Sequence, residues 1–120
     1  MDLKSNKYGN KKVIVDGIEF DSKLEARRYI ELKLLQRAKE IKDLHMQVTF
    51  ELQPSYKKNN KVIRAINYVA DFVYYDVKKG KTIVEDTKGY KTEIYKLKKK
   101  IFEYKYPDLE IKEVKRNEVR

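Results

Sequence analysis

Two aspartates and a lysine are spaced as a hydrolytic metal site would require. Asp71 interrupts an apolar run from Tyr68 to Tyr75, and Asp86 and Lys88 end the next apolar run along the chain. Side chains alternate across a β-strand, so Asp86 and Lys88 point to one face. A charged group inside an apolar strand is costly unless something compensates it. The pattern therefore predicts that Asp71 and Asp86 share a divalent cation.

Hydrolysis of a phosphodiester is the chemistry that such a site would support. A bound divalent ion polarises the phosphate and lowers the pKa of an attacking water, and a nearby cation stabilises the developing charge. Mg²⁺ prefers oxygen ligands and keeps several waters. We expect Asp71 and Asp86 to supply carboxylates, with the carbonyl of Thr87 as a third ligand. Lys88 would contact the phosphate or orient the water, and Glu25 would add a ligand directly or through water.

The N-terminal third must bring Glu25 to this site. Asp16-Gly17, between two short apolar runs, predicts a tight hairpin. Ser22 is expected to begin a helix that runs to about Lys42, and its spacing from Glu25 is that of a capping box. That cap is by itself a complete structural explanation of Glu25, so both roles stay open. The predicted buried stripe of the helix consists of Ala26, Ile30, Leu34, Ala38 and Ile41.

The remaining chain predicts an antiparallel meander followed by a crossover. Strands are expected over residues 45–53, from Val62 through Asp71, and over 82–88, with a polar loop at 55–60. A helix over 92–106 and a short last strand follow, so the fold class is α/β with a small mixed sheet. The predicted buried stripe of this second helix consists of Ile94, Leu97, Ile101 and Tyr104.

The length and composition of the chain predict one basic domain over residues 1–120. Residues 1–12 are expected to form a mobile basic arm. The chain has no cysteine, a net charge of +10, and 41% hydrophobic against 40% charged residues. No run approaches the length of a membrane span and no signal sequence is apparent, so we expect a cytoplasmic protein without a membrane partner. The charge predicts a polyanionic partner, although lysine-rich surfaces also serve solubility alone.

At Glu25, Asp71, Asp86 and Lys88 the chain resembles the PD-(D/E)xK nuclease superfamily. The closest resemblance is to its small, phage-type branch of Holliday-junction-resolvase-like endonucleases. The resemblance covers roughly residues 13–106 and includes the hairpin that leads into the first helix at 15–26. It departs from the family pattern at Ala70, where the family name has proline. Reading the triplet from Glu85 would put threonine where lysine belongs. The residues that carry the resemblance are Glu25, Asp71, Asp86 and Lys88.

The resemblance implies a restriction-endonuclease-like αβββαβ core, preceded here by the N-terminal hairpin and flanked by two helices. It implies dependence on Mg²⁺, with Mn²⁺ as a substitute, and hydrolysis of DNA, with branched DNA as the leading substrate. It also implies a homodimer, because a four-way junction requires two symmetric cuts. If the chain is phage-encoded, the host cytoplasm is its location.

Other candidates carry weaker signals. Gln47 and Gln53 are each a candidate for a polar group behind the site, and the sequence does not choose between them. Two other function classes stay open, a non-catalytic basic nucleic-acid-binding module and an RNA-processing nuclease of similar fold. The residues that would line the path of a nucleic acid, or simply form a solvated basic face, are Tyr90, Lys91, Lys96, Lys99 and Lys100.

Overall fold

The N-terminal hairpin forms as predicted. The structure is a computed structural model and describes residues 12–87 and 90–115, so most of the predicted arm at 1–12 lies outside the described residues. Strands β1 (Val13–Val15) and β2 (Ile18–Phe20) pair antiparallel. Asp16 and Gly17 join them with φ of 52° and 77°. Two consecutive positive φ values favour Asp-Gly at this turn, which leads the chain directly into the first helix.

Helix α1 (Lys23–Arg37) begins at the predicted cap but ends earlier than predicted. Lys39 adopts φ 65°, and its N–H donates to the carbonyl of Gln36. The next N–H, that of Glu40, donates to the carbonyl of Leu35 at 2.9 Å. This pair of bonds is the Schellman motif, which usually has glycine at the left-handed position. The prediction of a helix to Lys42 was wrong. It failed because Lys39 occupies the left-handed position, where a glycine would have marked the helix end.

The buried face of α1 also differs from the prediction. Ala26, Tyr29 and Leu32 are buried, whereas Ile30 and Leu34 are exposed. The sheet-facing side carries Glu25 and other polar groups with partners on the strands, so hydrophobic spacing alone pointed to the wrong side. The helix therefore delivers a carboxylate to the sheet together with its apolar contacts.

Four strands form the main sheet in the order β3 (Ile41–Gln53), β6 (Ile66–Asp76), β7 (Lys81–Thr87) and β8 (Ile111–Val114). The first three are antiparallel, whereas β8 is parallel to β7. Helix α2 (Glu93–Lys105) is the crossover between β7 and β8. The predicted α/β class with a small mixed sheet is thereby confirmed.

The predicted loop at 55–60 is instead a second hairpin. Strands β4 (Tyr56–Lys58) and β5 (Lys61–Ile63) pair around Asn59 and Asn60, whose φ values are 51° and 63°. Asparagine tolerates the left-handed region better than most residues, which explains the turn. The long strand therefore begins at Ile66 and not at Val62, and β3 begins at Ile41 and not at His45.

Each helix covers a different face of the sheet. Helix α1 packs on Phe72, Tyr74 and Ile83, and α2 packs on Val84 and Ile111. Helix α2 contributes Tyr95 and Phe102 to the core, so its predicted stripe was wrong except at Ile101, which packs against that core. The exposed members of that stripe are Ile94, Leu97 and Tyr104. In the part of the chain that the structure describes, neither helix is long and apolar enough to span a bilayer.

Candidate metal centre

The site lies where β6 and β7 stop pairing. Their register runs from Asp76↔Lys81 to Phe72↔Glu85. Asp71 and Asp86 would form the next pair. Asp71 is half-buried, and Asp86 is only 2% exposed. Like charges directly opposite each other across two strands repel, so an ion of opposite charge between them would be stabilising.

Thr87 fixes the orientation of the Asp71 carboxylate. Its backbone N–H and its hydroxyl both donate to Oδ2 of Asp71, each at 2.8 Å. Among the described residues, the hydrogen bonds of Asp71 thus use one oxygen only. Donors that orient a carboxylate in this way are typical partners behind a metal ligand. Thr87, expected as a carbonyl ligand, therefore has a second part in the site.

Tyr68 orients Asp86 in the same manner. Its hydroxyl donates to Oδ2 of Asp86 at 2.6 Å, and both residues are buried. Burial, followed by the charge of Asp86, raises the pKa of the Tyr68 hydroxyl far above its ordinary value. The hydroxyl therefore keeps its proton and acts as a donor throughout the physiological pH range. The charge of Asp71 acts on Tyr68 as well, which places both aspartates near one tyrosine.

Glu25 reaches the site from the first turn of α1. Its backbone N–H donates to the hydroxyl of Ser22 at 3.1 Å, which caps the helix. Its carboxylate instead accepts a hydrogen bond from Nε2 of Gln47 at 2.7 Å. Gln47, at φ 52°, lies between the pairs Met46↔Phe72 and Val48↔Ala70, and is therefore opposite Asp71. The helix cap uses the backbone N–H of Glu25 and leaves its carboxylate to Gln47, which is the one of the two candidate glutamines that donates to Glu25.

The charges of Asp71 and Asp86 both act on the carboxylate of Glu25. The pKa of Glu25 is raised from 4.5 to about 7, first by burial and then by the charge of Asp71. Asp21 and Asp86 raise it further, and the hydrogen bond from Gln47 opposes the rise. A carboxylate whose neighbours are other carboxylates is unfavourable in its charged form. A bound cation would remove this cost, which is what a metal site requires.

A closed cage of three protein ligands is not preformed in the described residues. No group of three or more His, Cys, Asp or Glu side chains within residues 12–87 and 90–115 is placed to hold one ion. Mg²⁺ is commonly held by one or two carboxylates and completes its shell with water. The donor set of Asp71, Asp86 and the Thr87 carbonyl fits that habit. Glu25 is buried and lies within the electrostatic influence of both aspartates.

Glu85 is separated from the site although it is adjacent to Asp86 in sequence. It is fully buried on the α1 side, where Arg28 donates from Nε to Oε1 at 2.8 Å and from Nη2 to Oε2 at 2.5 Å. The hydroxyl of Tyr74 also donates to it. A forked guanidinium pair of this kind satisfies a buried carboxylate. Lys88, the remaining predicted catalytic residue, lies outside the described residues.

The predicted nucleic-acid contacts fall into distinct environments. Tyr90 is 80% exposed, and Lys100 is exposed on α2. Lys96 pairs with Glu93 on the same helix at 3.1 Å. Lys91 and Lys99 instead share a carboxylate on β8. The sequence grouped these residues together, whereas the structure separates them by their partners.

Sequence reasoning missed Tyr68, Tyr74 and Arg28, which donate to buried carboxylates. Tyr68 lies three positions before Asp71 and resembles any core tyrosine, since nothing in the sequence marks its hydroxyl. Arg28 lies outside the stripe that hydrophobic spacing predicted to be buried. A signal was available for Arg28, because a glutamate in an apolar strand such as Glu85 requires a cationic partner.

Comparison with known proteins gives a family but no function. No curated protein and no solved structure matches the chain. A family model matches residues 5–118, which is nearly the whole sequence. The chain therefore belongs to the family described as Protein of unknown function (DUF1064).

Proposed function

We propose that the protein is a divalent-metal-dependent endodeoxyribonuclease with a restriction-endonuclease-like core. The supporting observation is the kind of partner that each buried or half-buried carboxylate has. Glu85 is matched by the guanidinium of Arg28. Among the described residues, Glu25 and Asp71 instead receive hydrogen bonds from neutral donors, which orient the carboxylates without balancing their charge. Such carboxylates are prepared for a cation that arrives with or before the substrate.

The sheet order supports the same proposal. An antiparallel meander, a crossover helix and a parallel last strand follow one another in the order that an αβββαβ core requires. The two aspartates lie where the pairing of β6 with β7 ends.

Each residue then has a defined task. Bound Mg²⁺ would supply Lewis-acid polarisation of the phosphate and a water of lowered pKa. Asp71 and Asp86 would hold the ion, and Thr87 and Tyr68 keep those carboxylates in place. Glu25, oriented by Gln47, would contact the ion's water shell. We assign to Lys88 the contact with the phosphate or the orientation of the attacking water.

DNA is the proposed substrate, with branched DNA first. The net charge of +10 supplies attraction to the backbone, and such binding weakens steeply as salt rises. We propose that the protein acts in the cytoplasm, that of the host if it is phage-encoded. It would act as a homodimer, and the apolar residues that α2 exposes at heptad-like spacing (Ile94, Leu97 and Tyr104) favour a partner helix.

A cleavage assay with the purified protein tests the proposal. A labelled four-way junction is incubated with Mg²⁺ or with EDTA, beside plain duplex DNA and structured RNA. We expect cleavage of the junction only with Mg²⁺, and its loss in Asp71→Asn with binding retained. Asp108→Asn, which removes the same charge from an exposed turn, is the control and should cleave like the parent. Parental cleavage by Asp71→Asn would refute the site, and preferential cleavage of RNA would refute the substrate class.

A non-catalytic nucleic-acid-binding module is the second candidate. The observation in its favour is that no ligand group of three or more side chains is found in the described part of the chain. Calorimetric titration of the protein with Mg²⁺ and with Mn²⁺ separates the two candidates. Binding that Asp71→Asn abolishes supports the nuclease, whereas the absence of any binding, with DNA affinity intact, supports the module.

A further inference from the structure

A third carboxylate continues the row formed by Asp71 and Asp86 across the sheet. Val84 and Ile111 are in register on β7 and β8, and both are buried beneath α2. Two residues further along the same strands, Asp86 is in register with Glu113. Because side chains alternate along a strand, Glu113 lies on the α2 face beside Asp86, one strand spacing of about 4.8 Å away.

Glu113 differs from the other two carboxylates in its partners. The ammonium group of Lys91 lies 2.8 Å from Oε1, and that of Lys99 lies 3.3 Å from Oε2. The hydroxyl of Tyr95 also donates to Oε2, at 2.7 Å. Burial alone would raise the pKa of Glu113, but the hydrogen bonds from Lys91, Tyr95 and Lys99 outweigh it and lower the pKa to about 2. Glu113 is thus paired with two ammonium groups, one more than its own charge requires.

Lys91 and Lys99 are more exposed to solvent than the Glu113 carboxylate that they share. The side chains of Lys91 and Lys99 are 41% and 31% exposed, whereas that of Glu113 is 13% exposed. One ion pair would suffice to tie α2 to β8, so a second lysine is not explained by the packing. Lys96 on the same helix forms a one-to-one pair with Glu93 that is far more exposed.

We propose that Lys91 and Lys99, held by Glu113, form a subsite for a backbone phosphate adjacent to the phosphate that is cleaved. The inference rests on the proposed nuclease function and deepens it. Two ammonium groups make charge-assisted hydrogen bonds to phosphate oxygens, and a pre-positioned pair loses less entropy on binding than free side chains. Glu113 is a positioning residue, because it acts on the backbone through the two lysines. The metal pair and the phosphate subsite would thus share one row of the sheet.

The test measures DNA affinity against salt in EDTA, where the metal plays no part. Lys91→Ala and Lys99→Ala are each expected to reduce the slope of log K against log salt by about 0.9, the value for one lost phosphate contact. Between about 50 and 200 mM salt, the DNA affinity of each lysine variant should therefore fall by a factor about threefold smaller than that of the parent. Lys81→Ala removes an exposed lysine at the opposite end of β7 from Asp86, so it is the control and should keep the parental slope. Parental slopes in both lysine variants, or an equal change in Lys81→Ala, would overturn the subsite.

Cleavage kinetics test the role of Glu113. Glu113→Gln retains both lysines, so we expect the parental salt slope together with a fall in kcat of about tenfold to a hundredfold as the subsite loses its alignment. An unchanged kcat, or a large loss of Mg²⁺ affinity by calorimetry, would contradict the positioning role. If the lysine variants change the salt slope while the parent cleaves nothing with Mg²⁺, the subsite survives as a binding element and the nuclease proposal fails.

Discussion

The unusual protonation of Glu25 makes a prediction about stability that does not depend on finding a substrate. In the folded protein its pKa is raised from 4.5 to about 7, by burial and by the neighbouring aspartates. The unfolded chain releases this proton near pH 4.5, whereas the folded chain keeps it to about pH 7. Between those values the folded state binds more protons, so the free energy of unfolding falls as pH rises.

The size of the effect follows from the same values. One pH unit corresponds to 1.36 kcal/mol, so the interval from 4.5 to about 7 bounds the loss at about 3 kcal/mol. Glu25→Gln removes the titration, and its stability should lack this decline. Relative to the variant, the parent should therefore lose up to about 3 kcal/mol between pH 4.5 and pH 8. Such a change is a large fraction of the roughly 5–15 kcal/mol that stabilises a small domain.

Urea unfolding of both proteins across this pH range provides the measurement. Glu19→Gln, which neutralises an exposed glutamate on β2, controls for the change in net charge and should follow the parent. Addition of Mg²⁺ to the parent should restore more stability at pH 8 than at pH 5.5, because only the charged site attracts the ion. Parallel pH profiles for the parent and Glu25→Gln would refute the reasoning about this buried carboxylate.

Three further changes test the parts that surround the site. Thr87→Val removes the hydroxyl donor to Asp71 and should lower Mg²⁺ affinity by roughly 10- to 100-fold in calorimetry, whereas Thr87→Ser should stay close to the parent. Arg28→Met leaves Glu85 buried without its cation and should cost about 3–5 kcal/mol in urea unfolding. Adding Glu85→Leu to that variant should recover most of the loss. A stable Arg28→Met single variant would show that the pair is not needed to compensate Glu85.

The sequence was sufficient wherever local chemistry determined the structure. The Asp16-Gly17 turn, the Ser22 cap and the alternation that puts Glu85 and Asp86 on opposite faces of β7 all follow from residue type and spacing. They depend on backbone conformation within a few residues, which sequence encodes directly. The neighbouring positions of Asp71 and Asp86 on β6 and β7 were accessible for the same reason, because a short turn fixes the register of the two strands.

What failed depended on contacts that are distant in sequence. The buried faces of both helices were misassigned because each presents polar residues to the sheet. Glu25 and Arg28 on α1, and Tyr95 on α2, have partners on strands far along the chain. The early end of α1 was missed because Lys39 occupies a left-handed position that usually signals itself with glycine.

The carboxylates at the sheet differ in the charge of their partners. Glu85 is neutralised by Arg28, which ties α1 to the sheet. Glu113 is paired with two ammonium groups. Among the described residues, Glu25 and Asp71 receive hydrogen bonds from neutral donors only, and we propose that a divalent cation balances their charge. Mg²⁺ should therefore raise the thermal midpoint in Glu113→Gln as it does in the parent, and should fail to do so in Asp71→Asn. Equal stabilisation of both variants would place the ion elsewhere on the protein.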